Sequence, residues 1–69
     1  MFGDSVKKVR KQLGITQEQL ARELDISFST INRWENGHTS PSKLAQRRLL
    51  EFCRNNNLDK TIISELEES

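Results

Sequence analysis

Residues 17–36 read Gln17-Glu18-Gln19-Leu20-Ala21-Arg22-Glu23-Leu24-Asp25-Ile26-Ser27-Phe28-Ser29-Thr30-Ile31-Asn32-Arg33-Trp34-Glu35-Asn36. Leu20, Ala21 and Leu24 recur at i, i+1 and i+4, the spacing of one helix face. Ile31 and Trp34 recur at i and i+3. Only about three residues separate the two stripes, so two short helices must cross at a tight turn. Ala21 fits that geometry, because a larger side chain on the inner face would hold the helices apart. The boundaries are marked as well. Thr16 with Gln19 forms a capping box before the first helix, and Ser27 is the cap of the second, which Asn36-Gly37 stops.

Working outward, Val6, Val9 and Leu13 predict an earlier helix from about Asp4 to Leu13, ended by Gly14 in the left-handed conformation. After the His38-Thr39-Ser40 loop, Pro41 or Ser42 opens a fourth helix. Leu44 or Ala45, then Leu49, Phe52 and Cys53, face its core side, and Asn55-Asn56-Asn57 ends it. Ile62, Ile63 and Leu66 form the stripe of a short last helix capped by Asp59, with fraying expected beyond it. No alternating β-branched run predicts a strand. The expected fold class is all-α, a compact bundle of four to five helices. The expected division is a domain over residues 1–57 and a short C-terminal helix or tail over 58–69.

Composition narrows the function. The chain has 69 residues, 33% of them hydrophobic and 30% charged, enough for one small core. No apolar run approaches the roughly 20 residues of a membrane helix, and no membrane partner is expected. One cysteine cannot form an internal disulfide. One cysteine and one histidine cannot close a zinc site, so no metal and no cofactor is expected. Met1 to Ser5 lack the basic and apolar blocks of a secretory signal, which predicts a reducing, cytoplasmic setting. No Ser/His/Asp or Cys/His constellation and no glycine-rich phosphate loop is present, so the expectation is that the chain is not an enzyme. The net charge of +1 divides into +4 over residues 1–54 and −3 over residues 55–69. A basic body with an acidic tail suits a polyanionic partner, although so modest an imbalance is also ordinary surface charge.

The crossing pair is the helix-turn-helix arrangement, in which the second helix enters the major groove of double-stranded DNA. At about 100° per residue, Phe28, Asn32, Asn36, Ser29 and Arg33 share an arc of roughly 140°, away from Ile31 and Trp34. Arg33 suits guanine, Asn32 adenine, Ser29 several groups, and Phe28 a thymine methyl. The other readings are plainer. Phe28 could fold back onto Leu24, Arg33 could be a solvated helix residue, Trp34 is core, and Cys53 is a small buried hydrophobe.

Leu13-Gly14-Ile15-Thr16-Gln17-Glu18-Gln19-Leu20-Ala21, then Ile31-Asn32-Arg33-Trp34-Glu35-Asn36-Gly37 and Pro41-Ser42, resembles the lambda-repressor-like (phage repressor/Cro, or XRE) helix-turn-helix family over about residues 4–55. The resemblance implies a transcriptional regulator that inserts residues 28–35 into the major groove. It implies base reading by Phe28, Ser29 and Arg33, to which Asn32 is added from the helix arc. Phosphate contacts are implied for Gln17, whose side chain and helix-end amide would hold the backbone, and for Ser27, Asn36, His38, Thr39 and Ser42. Lys43 follows in the first turn after the loop. Relatives often carry lysine or arginine in that loop, so His38 and Thr39 imply a weaker electrostatic grip. An internal Arg10–Glu35 ion pair is implied too, with a phosphate contact by Arg10 the alternative.

One residue departs from the family pattern. Asp25 stands where a glycine is usual, in a left-handed conformation that disfavours it by roughly 1 kcal/mol. Relatives bind two-fold symmetric sites as dimers, with half-sites about 34 Å apart. Ile62, Ile63 and Leu66 are candidates for that dimer surface, or for closing the core against the first helix. Two other classes compete with this reading: the DNA-targeting domain of a larger restriction-modification-type enzyme, and a protein-interaction module of the same fold. The polar arc argues against the last of these, since an interaction face is expected to be more apolar.

Overall fold

A computed structural model describes residues 2–68 and contains five helices: α1 (Phe2–Leu13), α2 (Gln17–Leu24), α3 (Phe28–Glu35), α4 (Lys43–Asn55) and α5 (Lys60–Glu68). Among the described residues there is no strand. Three of the helices open on a hydroxyl. Thr16, Ser27 and Ser42 accept from the backbone N–H three residues on, each at 3.1 Å. Thr16 completes its capping box, because Gln19 Oε1 accepts from the Thr16 N–H at 2.8 Å. Ser42, rather than Pro41, is the cap of α4.

Helices α1 to α4 also close alike. Gly14, Asp25, Gly37 and Asn57 each take a left-handed conformation, with φ of 66°, 55°, 75° and 54°. In each case the following N–H reaches back five residues: Ile15 to Arg10 O, Ile26 to Ala21 O, His38 to Arg33 O and Leu58 to Cys53 O. This satisfies carbonyls that a helix end would otherwise leave unpaired, and it drives the chain sharply into the next element. In three of the four, the residue after the left-handed one is aliphatic: Leu58 is buried, and Ile15 and Ile26 pack partly buried against the core.

The core joins every helix: Val6 and Val9, Leu20, Ala21 and Leu24, Ile31 and Trp34, Leu49 and Cys53, and Leu66, with Leu58 from the α4–α5 connection. Leu44 and Ala45 were both open as inward positions. Ala45 packs against the core, while Leu44 is 59% exposed.

Helix α1 begins two residues before the expected Asp4, because tertiary contacts hold its first turn. The Phe2 ring meets Trp34 edge-on at 5.3 Å, and Gly3 packs against the Trp34 carbonyl. At the other end, α5 runs through Glu68 without the expected fraying, and Ser69 lies outside the described residues.

Helix α5 is part of the same core. Leu66 is fully buried, and Ile62 and Ile63 pack partly buried against the cluster. Ser5 Oγ donates to Glu65 at 3.0 Å, and Lys8 pairs with Glu65 at 3.1 Å. Gln46 Nε2 donates to the Leu66 carbonyl at 2.8 Å, and Arg54 pairs with Glu67. Of the two roles open to the α5 stripe, Leu66 closes the core of its own chain.

Candidate nucleic-acid interface

Helix α3 divides as its periodicity requires. Ile31, Trp34 and Glu35 are buried, and Phe28, Ser29 and Arg33 are exposed, with Asn32 half-buried between the two sets. Phe28 is 48% exposed, so about half of it is open to solvent. The Arg33 side chain has no hydrogen-bond or ion-pair partner among the described residues, which leaves its five donors available to a ligand. Ser29 Oγ lies 3.1 Å from Ser27 Oγ, which is itself 2.7 Å from Thr30 Oγ1 and accepts the Thr30 N–H. Ser27 is therefore chiefly occupied as a cap.

Beneath the exposed arc lies the ion pair. Arg10 Nε and Nη2 donate to the two Glu35 carboxylate oxygens at 2.6 and 2.7 Å, a bidentate fork. Arg10 Nη1 also reaches the Ile15 carbonyl at 3.3 Å. Burial pushes the Glu35 carboxyl up. The hydrogen bonds from Arg10 and Gln17, together with the charges of Arg10 and Lys7, outweigh it and hold the group below its ordinary value. Arg10 is raised, first by its hydrogen bond to Glu35. Its guanidinium is committed inward, so the phosphate alternative for Arg10 has no support in this geometry.

Three amides continue from the ion pair to the surface. Gln17 Nε2 donates to Glu35 Oε1 at 3.0 Å, Asn32 Nδ2 to Gln17 Oε1 at 3.2 Å, and Asn36 Nδ2 to Asn32 Oδ1 at 2.9 Å. Gln17, Asn32, Glu35 and Asn36 thus meet in one network. The four-residue spacing of Asn32 and Asn36 is visible in the sequence, but the two links made by Gln17 join different helices and are not. His38 is exposed and Thr39 half-buried in the loop after α3, with exposed Ser42 and Lys43 opening α4. Lys43 has no partner among the described residues.

A recess of about 500 Å³ between α2 and α4 is lined by Glu23, Asp25 and Glu51 beside Arg48, Leu24 and Phe52. Its carboxylates make it unsuited to phosphate. Burial pushes the Cys53 thiol up to about 11, against the pull of Arg54, so it is a protonated core side chain at neutral pH. Among the described residues no group of three or more His, Cys, Asp or Glu could hold a metal ion. No described helix is long and apolar enough to cross a membrane.

Residues 6–55 match the helix-turn-helix family, and the chain belongs to it, in its lambda-repressor-like (XRE) branch. Two curated relatives are similar over much the same region. One is the Type II methyltransferase M1.ScrFI of Lactococcus lactis subsp. cremoris, 42% identical over 50 residues, covering 68% of this chain and 13% of that protein. The other is an uncharacterized HTH-type transcriptional regulator of Methanothermobacter thermautotrophicus, 39% identical over 44 residues, covering 64% of each chain. The chain therefore spans a small part of the first relative and under two thirds of the second. No solved structure matches it.

Proposed function

We propose that this chain is a non-enzymatic, sequence-specific binder of double-stranded DNA that regulates transcription by inserting α3 into the major groove. One observation carries the reading: an exposed polar arc whose Arg33 side chain has no partner among the described residues, set above a buried ion pair that joins α1 to α3 and, through Gln17, to α2. Phe28, Ser29, Asn32 and Arg33 face base edges. Gln17, the loop carrying His38 and Thr39, and the start of α4 at Ser42 and Lys43 follow the phosphates, with Ser27 and Asn36 at the helix ends beside them. The site is two-fold symmetric and bound by a homodimer, and the protein works in the cytoplasm on nucleoid DNA.

The test is selection from a random duplex pool at near-physiological salt, since affinity depends steeply on salt. Enrichment of a two-fold symmetric motif supports a dimeric regulator and measures its half-site spacing. Salt-sensitive binding without enrichment overturns sequence-specific recognition.

The similarity to a methyltransferase, of which this chain covers only 13%, favours a second reading in which the domain targets a larger restriction-modification-type protein to DNA. A single asymmetric half-site in the same selection supports that reading over the dimeric regulator.

A further inference from the structure

We propose that buried Glu35 sets the direction in which the Asn32 amide presents its donor and acceptor to DNA, acting through Gln17. A carboxamide can be turned end for end with little change in shape, yet doing so exchanges an acceptor for a donor. An isolated surface asparagine therefore presents either edge. Here the choice is made by the buried end of the network.

Glu35 is 6% exposed and bound by the Arg10 fork, so it is an ionised carboxylate that only accepts. Gln17 must turn Nε2 toward it, at 3.0 Å. That places Gln17 Oε1 on the far side, where it accepts from Asn32 Nδ2 at 3.2 Å. Asn32 Oδ1 is then directed at Asn36 and accepts from Asn36 Nδ2 at 2.9 Å. Each link has one permitted polarity once the first is set, and hydrogen bonds in such chains polarise one another in the same sense. Asn32 keeps one Nδ2 hydrogen and one Oδ1 lone pair for a base, in a fixed left-right order. Glu35 is a positioning residue in this arrangement and touches no base. The groups facing its carboxylate are Arg10 and Lys7 of α1 and Gln17 of α2.

The inference rests on the DNA-binding reading and deepens it. Gln17→Met is the informative variant, because it removes both amide links while leaving the Arg10–Glu35 fork in place. In the free protein, NMR of the Asn32 side-chain amide reads the orientation directly. A contact from Asn32 Nδ2 to Gln17 and one setting of the carboxamide about its Cβ–Cγ bond are expected in the wild type, with rapid averaging about that bond in Gln17→Met. Rotation that is equally fast in both overturns the relay, whatever happens with DNA.

On duplex pools, Asn32→Ala identifies the base pair that Asn32 reads. Gln17→Met is expected to reduce the preference there from about tenfold to below about threefold, with the Arg33 base preference retained. An unchanged preference at the Asn32 base pair overturns the inference. Equal loss of preference at both base pairs does so too, since that is the signature of a merely structural residue. Failure of the wild type to select any site sinks the DNA-binding reading instead, while the amide measurement still decides whether the link through Gln17 orients Asn32.

Discussion

Gly3 packs so closely on Trp34 that a Cβ at Gly3 would collide with the Trp34 carbonyl oxygen. The obstacle is backbone and cannot swing aside. Helix propensity alone favours alanine over glycine by up to about 1 kcal/mol, whereas overpacking a tight contact disfavours it by about 1–3 kcal/mol. Gly3→Ala is therefore expected to lower Tm by circular dichroism. A rise would mean that α1 shifts away from α3 at little cost.

Removing one half of the buried ion pair strands the other. Such losses run to about 3–5 kcal/mol, and a chain of this length has only about 3–10 kcal/mol of total stability. Glu35→Ala is expected to lose about 3–5 kcal/mol in urea titrations at 25 °C. The double variant Arg10→Met, Glu35→Leu removes both charges and is expected to be more stable than either Arg10→Met or Glu35→Ala alone. The opposite order would show that the fork itself supplies the stability.

The depressed Glu35 carboxyl also dictates how stability follows pH. A group whose folded pKa lies below its unfolded value near about 4.3 stabilises fully above that value. Its contribution is lost as pH falls through the folded pKa. Glu65, lowered by hydrogen bonds from Lys8 and Ser5, acts in the same direction from a half-buried position. The urea midpoint should stay level from pH 7 to about 5 and decline below it. The Arg10→Met, Glu35→Leu protein should decline less steeply, and identical slopes would exclude Glu35 as the source.

Asp25 holds φ 55° and ψ 46° at the end of α2. Asp25→Gly relieves left-handed strain of about 1 kcal/mol and returns part of that through the freer unfolded chain. The expected result is a gain of several tenths of a kcal/mol, or a few degrees in Tm. A loss would indicate that the Asp25 carboxylate has a favourable interaction outweighing its strain.

Base readers and phosphate contacts separate in binding assays. Arg33→Ala is expected to weaken the selected site by about 1–3 kcal/mol and to relax one base position. Lys43→Ala should weaken all duplexes alike and reduce the salt slope by about 1. Uniform loss in both variants would remove the distinction between these two residues.

Local chemistry made much of the fold legible. The Thr16–Gln19 box, the Ser27 cap and Gly14 and Gly37 act within a few residues, so their effects can be read along the chain. Asn57 as the left-handed terminator of α4 was less visible, because three consecutive asparagines offer the same propensity and only burial of Leu58 selects one. Leu44 and Ala45 were indistinguishable for a related reason. Both fit the helical period, and the packing of α4 against the rest of the bundle turns Ala45 inward. The candidate site divides along the same line. The outward arc of α3 follows from periodicity, whereas the commitment of Asn32 to Gln17 and Asn36 does not.

What the sequence determined by itself was the helix order, the caps, the inward stripes and the polar arc, since each arises from interactions within one or two turns. Tertiary structure decided which polar side chains are free and which are engaged. Among the described residues the Arg33 side chain is left unpaired, while Arg10, Gln17, Asn32 and Glu35 are joined across three helices. It also decided that α5 closes the core through Leu66 and that the first turn of α1 is held on Trp34. The reason is geometric. Hydrogen bonds and packing between residues 15 to 60 positions apart depend on how the helices cross, and no local propensity carries that information.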